Sequence, residues 1–223
     1  MSVMKRYAVI VAGGKGTRMK SSLPKQFLQL KGKPILMRTL EVFYAFDATV
    51  ELILVLPKEQ QIYWRKLCEE YSFLIPHSVA DGGESRFHSV SNGLKKIKGD
   101  GIVAIHDGVR PFVSTAVLKL CYLTAEKYDA VIPVIDIQES LRKVEEEEKT
   151  IMVDRSKYVI VQTPQVFKVK TIKSAYEQPY SSLFTDDASV VEAYGGKIHT
   201  VRGNEENIKL TTPFHLKIAE VLL

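Results

Sequence analysis

The sequence is poor in cysteine, in long apolar runs and in the short signatures of a covalent nucleophile or a metal cage. Its two cysteines, Cys68 and Cys121, stand alone without CxxC or metal-ligand spacing, so they read as reduced, buried thiols rather than a disulfide framework. No apolar run approaches the roughly 20 residues that a membrane-spanning helix needs. Met1 to Lys5 is too short, and too soon followed by strand-like sequence, for a signal peptide. The expected location is the cytoplasm, away from a membrane. The formal charge is +5, but acids and bases are interleaved, apart from Glu145-Glu146-Glu147-Glu148. Without a dense basic stripe carrying aromatics, no nucleic-acid partner is expected. The five histidines form no HExxH or zinc set, and no Ser-His-Asp elbow is present. A hydrolase with a covalent nucleophile is therefore disfavoured, and no metal site made by the protein itself is expected.

What is present is a glycine loop on a strand. Tyr7-Ala8-Val9-Ile10-Val11 is apolar and β-branched enough to be a buried strand. Ala12-Gly13-Gly14-Lys15-Gly16 then removes the side chains, and Thr17, Arg18 and Lys25 add a hydroxyl and positive charge. Glycines let backbone N–H groups approach an anion, and Arg and Lys supply charge-assisted hydrogen bonds to phosphate oxygens. The stretch reads as a polyphosphate site; the plainer reading is a glycine turn with a solvated basic face. Two familiar loops are excluded by their missing residues. GxxxxGK[ST] needs Lys after the last glycine, where Thr17 stands, and GxGxxG needs glycine where Met19 stands.

A chain of 223 residues with 45% hydrophobic and 26% charged residues suits one soluble domain, 1–223, with one substantial core. Strands are expected at Leu52 to Leu56, Phe73 to Val79, Ile102 to Ile105 and Ala130 to Ile135. Helices are expected after Pro34, through Tyr71, over Ser85 to Lys98 and over Val113 to Lys127. The alternation predicts an α/β, Rossmann-like, mostly parallel sheet with helices on both faces, and ligands at the carboxyl ends of the strands. It breaks at about 136–161, where Leu141 to Val144 and Thr150 to Val153 flank the acidic turn. A polar hairpin has little to bury, so it is expected as a protruding β-hairpin arm. Exposed strands need a partner or a protective device, which points to dimerisation. Further on, helices are expected near Val169 to Tyr176, after an N-cap at Thr185 or Asp186, and from Pro213, with a strand at Lys197 to Val201.

Three further clusters carry polar chemistry. Asp81-Gly82-Gly83-Glu84-Ser85-Arg86-Phe87-His88-Ser89 sets a glycine turn between strand and helix. Its free N–H groups, acids and hydroxyls suit a base or ribose edge, against the plainer reading of a helix start capped by Ser85. His106-Asp107-Gly108-Val109-Arg110-Pro111 ends a strand with an acid for Mg²⁺ or hydroxyls and an Arg for phosphate; the plainer reading is a turn pair. Asp154-Arg155 reads alone as a surface pair, and Lys209 as a snorkelling lysine.

The clusters together resemble a family. AGGKGTRM with LPKQF resembles the nucleotidyltransferase signature. Extended by DGGESRFHSV, HDGVRP, VDR with QTPQ, TDDAS and NIKLTT, the series is similar across essentially the whole chain to the 2-C-methyl-D-erythritol 4-phosphate cytidylyltransferases of isoprenoid biosynthesis. The resemblance implies an enzyme joining CTP and methylerythritol phosphate to give the cytidine diphosphate ester and pyrophosphate, with Mg²⁺ carried mainly on the CTP phosphates. By the same resemblance Arg18 and Lys25 stabilise the transition state, and Ala12, Gly13 and Gly14 cradle the nucleotide. Gly83, Glu84 and Ser89 contact cytosine and ribose. Asp107, Arg110, Ser140, Arg155, Thr163 and Lys209 hold the acceptor polyol phosphate, with Arg155 supplied by the other subunit's arm in a homodimer. Departures are HDGVRP for the commoner HDAARP, expected to be harmless, Glu84 for Asp and Ser140 for Thr. The ribitol-5-phosphate cytidylyltransferases share most of these motifs, and a non-catalytic nucleotide-binding dimer remains the alternative of a different class. The inventory suits the chemistry. An acceptor phosphate is already a nucleophile at neutral pH, so the site needs fixed cations and not a titrating dyad.

Overall fold

The computed structural model of the protein describes residues 4–14, 23–146 and 149–223. Strand β1 (Arg6–Val11) precedes the glycine loop. Two short strands, β2 (Gln29–Leu30) and β3 (Lys33–Pro34), pair ahead of α1 (Ile35–Phe46). β4 (Glu51–Leu56), α2 (Lys58–Glu70), β5 (Ser78–Asp81), α3 (Arg86–Leu94), β6 (Ile102–Asp107), α4 (Thr115–Lys127) and β7 (Ala130–Asp136) continue the alternation. After them come the hairpin strands β8 (Arg142–Val144) and β9 (Thr150–Met152), then β10 (Val159–Val161) and β11 (Gln165–Lys168). Helices α5 (Val169–Ala175) and α6 (Asp187–Ala193), strand β12 (His199–Arg202) and helix α7 (Pro213–Leu222) complete the chain.

β1 lies between β4 and β6, parallel to both, with β5 beyond β4 and β12 parallel to β7. Only β10 and β11 run the other way, β11 between β6 and β7 and β10 on the far end of β7. The sheet is therefore mostly parallel. Its strands send alternate side chains to opposite faces. Ala8 and Ile10 of β1 join a cluster with Leu36, Leu40 and Phe43 of α1, Trp64 of α2 and Leu118 of α4. Tyr7 and Val9 join Val90 of α3, Ile172 of α5 and Val191 of α6. Both faces are thus covered, which is why β1 and β6 are continuous apolar runs rather than alternating ones. A third cluster of Leu30, Ile35, Val109, Leu210 and Ala219 seats α7 against the end of α1.

Local chemistry starts the helices where expected. Ser85 caps α3, Asp186 with Ser189 forms a capping box on α6, and Thr212 caps α7 with Pro213 in its first turn. The differences are instructive. The strand expected at Phe73 to Val79 starts only at Ser78, because Phe73 and His77 pack on Trp64 and Pro76 offers no N–H to a ladder. β11 was not expected at all. It follows the cis Thr163–Pro164 bond and fills the space between β6 and β7. Of the segment 136–161, β10 pairs with β7 in the main sheet, and only β8 and β9 form a separate two-stranded hairpin. That hairpin is exposed along its length, with Val144 and Met152 more than 70% accessible (72% and 73%).

Candidate functional site

The strand order reverses between β1 and β6, whose paired ends are Val11 and Asp107. A crevice opens at such a switch point outside the carboxyl ends of the strands. Here it is a cleft of about 590 Å³ that draws its walls from the glycine loop, Lys25, residues 82–86, Ser89, Asp107 and Lys209.

The glycine loop forms one wall. Ala12 N–H donates to Val55 O at 3.0 Å, holding the chain against β4 as it leaves β1. A side chain at Gly14 would stand 3.4 Å from Cε and 3.7 Å from Nζ of Lys25, so this lysine lies over the loop. Gln26 beside it is fully buried. Its Nε2 donates to Ala12 O at 2.8 Å and to Gln60 Oε1 at 2.7 Å, tying loop to α2. Arg18 lies outside the described residues.

The turn between β5 and α3 makes the opposite wall. Gly83 N–H donates to Ser89 Oγ at 3.0 Å, and that hydroxyl donates to Ser85 O at 2.9 Å. A Cβ at Gly83 would fall 2.4 Å from His88 Cβ, so only glycine lets the turn fold back on α3. Glu84 stands at the exposed rim of the same wall.

The floor is a charge cluster. Asp107 is 7% exposed, and its Oδ2 lies 2.9 Å from Lys209 Nζ and 3.3 Å from Arg110 Nε. Arg86 Nε stands 3.8 Å from Oδ1. Burial alone would push the Asp107 carboxyl up, but Lys209, Arg86 and Arg110 outweigh it and hold the group well below the usual carboxylate range. Lys209 is therefore not a lone surface lysine, and Asp107–Arg110 is one part of a larger cluster. Arg110 Nη1 also donates to Asn207 O at 2.7 Å, which fixes the segment that carries Lys209.

Behind Asp107 sits His106, fully buried, where desolvation pulls its pKa down to about 4. A neutral ring needs one donor and one acceptor nitrogen. Nε2–H donates to Arg110 O at 2.9 Å, leaving Nδ1 to accept from the Thr163 hydroxyl at 3.1 Å. Thr163 Oγ1 in turn accepts Asp107 N–H at 3.2 Å. The Thr163 hydroxyl is thus taken up inside the protein, where it braces Asp107 from behind rather than facing the cleft.

Ser140 and Arg155 stand apart from these groups. Both are exposed, neither lines the cleft of its own chain, and the Arg155 guanidinium donates to Gln138 O. Three groups that matter here are ones the motifs did not single out: Gln26, Arg86 and Asp187. Gln26 was visible in LPKQF, and Asp187 in TDDAS, but their contacts reach across the fold. Gly108, where HDGVRP departs from HDAARP, is closely packed in this chain. An added Cβ would sit 2.9 Å from Ala12 Cβ, which cannot swing away, and 3.0 Å from Leu36 Cδ1.

Comparison with known proteins agrees with this arrangement. A family model described as IspD, 2-C-methyl-D-erythritol 4-phosphate cytidylyltransferase, matches residues 6–223. The 2-C-methyl-D-erythritol 4-phosphate cytidylyltransferase of Phocaeicola vulgatus is 59% identical over 220 residues, 99% of this chain and 100% of that protein. Its counterpart from Geobacillus kaustophilus is 38% identical over 218 residues, 97% of this chain and 96% of that one. Among solved structures, a 4-diphosphocytidyl-2C-methyl-D-erythritol synthase from Anaerococcus prevotii aligns with a TM-score of 0.84 at 26% identity, covering 98% of this chain and 96% of that one. The cytidylyltransferase from Francisella tularensis aligns with a TM-score of 0.81 at 30% identity, covering 98% and 100%.

Proposed function

The chain belongs to the 2-C-methyl-D-erythritol 4-phosphate cytidylyltransferase family and is a nucleotidyltransferase, and from that premise we propose how its cleft joins CTP to methylerythritol phosphate. The glycine loop and the Gly83 turn face each other across the cleft and take the nucleotide between them, with cytosine and ribose toward Gly83, Glu84 and Ser89. Lys25 lies along the triphosphate, and the resemblance gives Arg18 the same task of neutralising it. The acceptor enters beside Asp107, Arg110 and Lys209. One phosphate oxygen of the acceptor attacks the α-phosphorus of CTP, the bond from that phosphorus to the β-phosphate oxygen breaks, and pyrophosphate leaves with the electron pair. No proton needs to be removed first. The rate depends on bringing two polyanions together and on fixed positive charge that tightens as the transition state forms.

The observation that carries this reading is the convergence of Lys25 above Gly14 with the Asp107–Lys209 pair on one cleft. It favours an enzyme over a nucleotide-binding dimer, because cations fixed in place by the fold serve a transition state more than ground-state binding. The family match favours methylerythritol phosphate over ribitol 5-phosphate as acceptor. Mg²⁺ fits here as an ion carried on the triphosphate and would neutralise charge there. Among the described residues no three His, Cys, Asp or Glu side chains gather to hold a metal, and Asp107 Oδ2 is engaged by Lys209 and Arg110.

Assembly belongs to the same proposal. Ser140 and Arg155 are exposed on or beside the arm, and the arm and β10 expose Val144, Met152, Tyr158, Val159 and Ile160. A two-fold dimer would cover that apolar surface and carry each Arg155 to its partner's acceptor site. No described helix is long and apolar enough to cross a membrane. Because both substrates are charged small molecules, we place the reaction in the cytoplasm. Acceptor carrying ¹⁸O in its phosphate tests the chemistry. The bridging oxygen of the product diphosphate should be labelled and the pyrophosphate unlabelled; label in the pyrophosphate would refute attack by the acceptor phosphate.

A further inference from the structure

The cleft floor is fastened to a second, deeper ion pair. Arg86, the first residue of α3, and Asp187, the first residue of α6, are 101 positions apart and meet in two parallel hydrogen bonds, Nη1 to Oδ1 at 2.9 Å and Nη2 to Oδ2 at 2.6 Å. Asp187 is completely buried and also accepts from the Tyr176 hydroxyl at 2.6 Å. Phe87 stacks on Tyr176 with ring centroids 4.6 Å apart, on the Asp187 side of the pair, while Arg86 keeps some exposure to the cleft. Such a buried pair is costly to desolvate, and well-packed apolar residues of the same volume often hold helices together as firmly. A pair of this kind at the edge of the cleft points to a task beyond fastening α3 to α6.

We propose that Arg86, locked by Asp187, is a positioning residue that keeps Asp107 Oδ1 aimed into the cleft for the acceptor substrate; this rests on the reading of Asp107 as an acceptor contact. The geometry runs as a chain. The fork to Asp187 uses both terminal nitrogens of Arg86, so the guanidinium plane cannot rotate and Nε faces Asp107. At 3.8 Å, Nε is too far from Oδ1 for a hydrogen bond but close enough for strong attraction in a poorly solvated place. Oδ2 is held by Lys209 and Arg110. Among the described residues Oδ1 has no hydrogen bond, and it remains the acceptor oxygen open to a substrate hydroxyl. Arg86 and Asp107 line the cleft and Asp187 does not, so Asp187 acts only through Arg86.

Steady-state pyrophosphate release, with CTP and methylerythritol phosphate varied separately, tests this in Asp187→Asn, Asp107→Asn and the double variant. Asp187→Asn keeps the shape and removes the charge that locks the fork. It should raise KM for the acceptor about tenfold while KM for CTP stays within about twofold. On the Asp107→Asn background the same change should add less than about twofold, because its route to the substrate is gone. An equal rise in both KM values, or the full tenfold factor on both backgrounds, overturns the proposal and leaves a structural clasp. If Asp107→Asn raises the acceptor KM and Asp187→Asn does not, the inference fails while the reading of Asp107 stands. If Asp107→Asn itself leaves the acceptor KM unchanged, that reading fails and the inference falls with it. Should Asp187→Asn not fold, Tyr176→Phe removes one hydrogen bond from Asp187 and should raise the acceptor KM about threefold, with an unchanged value overturning the proposal.

Discussion

Lowering the pH from 7.5 to 5 perturbs one buried group in this fold more than its neighbours. His106 is fully buried with a pKa near 4, against about 6.5 for a histidine in an unfolded chain. Desolvation is the cause, partly opposed by the hydrogen bond to Arg110 O and by the Asp107 charge. Between those two values the unfolded chain takes up a proton that the folded one refuses. Stability from the neutral ring is therefore fully present above about pH 6.5 and falls as the pH drops toward about 4. A gap of about 2.5 units is worth roughly 3 kcal/mol in full, and about 2 kcal/mol is lost by pH 5. Asp107 does not confuse the measurement. Its carboxyl is held down in the folded state, so its contribution is lost only as the pH falls below about 3.9, its unfolded value. Urea unfolding at pH 7.5 and pH 5 should show the loss in the wild type and little of it in His106→Gln, whatever that variant's absolute stability. A wild-type loss below about 0.5 kcal/mol would mean that the ring accepts its charge in place, and that the Thr163–His106–Arg110 arrangement is not the neutral network described here.

Gly108→Ala should cost about 1–3 kcal/mol by overpacking Ala12 and Leu36, and should raise KM for CTP because Ala12 lines the cleft on the side proposed for the nucleotide; unchanged urea midpoint and KM would show slack at this contact. Lys25→Ala should lower kcat by about two orders of magnitude with a much smaller loss of CTP affinity, whereas a kcat within about twofold of wild type would make Lys25 a solvated side chain. Arg18→Ala and Arg155→Ala should each inactivate their own dimers. After subunit exchange, verified by native mass spectrometry, the mixture should recover about a quarter of wild-type activity per chain; no recovery would refute action of Arg155 across the interface.

Local pattern and chemistry were legible where the chain speaks in neighbouring residues. Tyr7 to Val11 announced a buried strand, and the register of β1 on β6 puts the glycine loop that follows it beside Asp107. Ser85, Asp186 and Thr212 begin helices because their oxygens reach the first free N–H groups. What was not legible depends on distance along the chain. β11 follows Pro164 and opens on Gln165, too short and polar to look like a strand, and is one only because β6 and β7 flank it. The Arg86–Asp187 pair joins two helix starts that no local period relates. Lys209 looked isolated between apolar neighbours, and only the fold brings it 2.9 Å from Asp107. Thr163 was expected to touch substrate, while its hydroxyl is engaged by His106 and the Asp107 N–H.

A cleft that transfers a cytidylyl group to methylerythritol phosphate must release pyrophosphate as it does so. Purified protein with CTP and Mg²⁺ should release pyrophosphate rapidly with methylerythritol 4-phosphate and far more slowly with ribitol 5-phosphate. Release that is equal with the two acceptors, or faster with ribitol 5-phosphate, would contradict the acceptor assignment. CTP binding without release in the presence of either would contradict the enzyme itself.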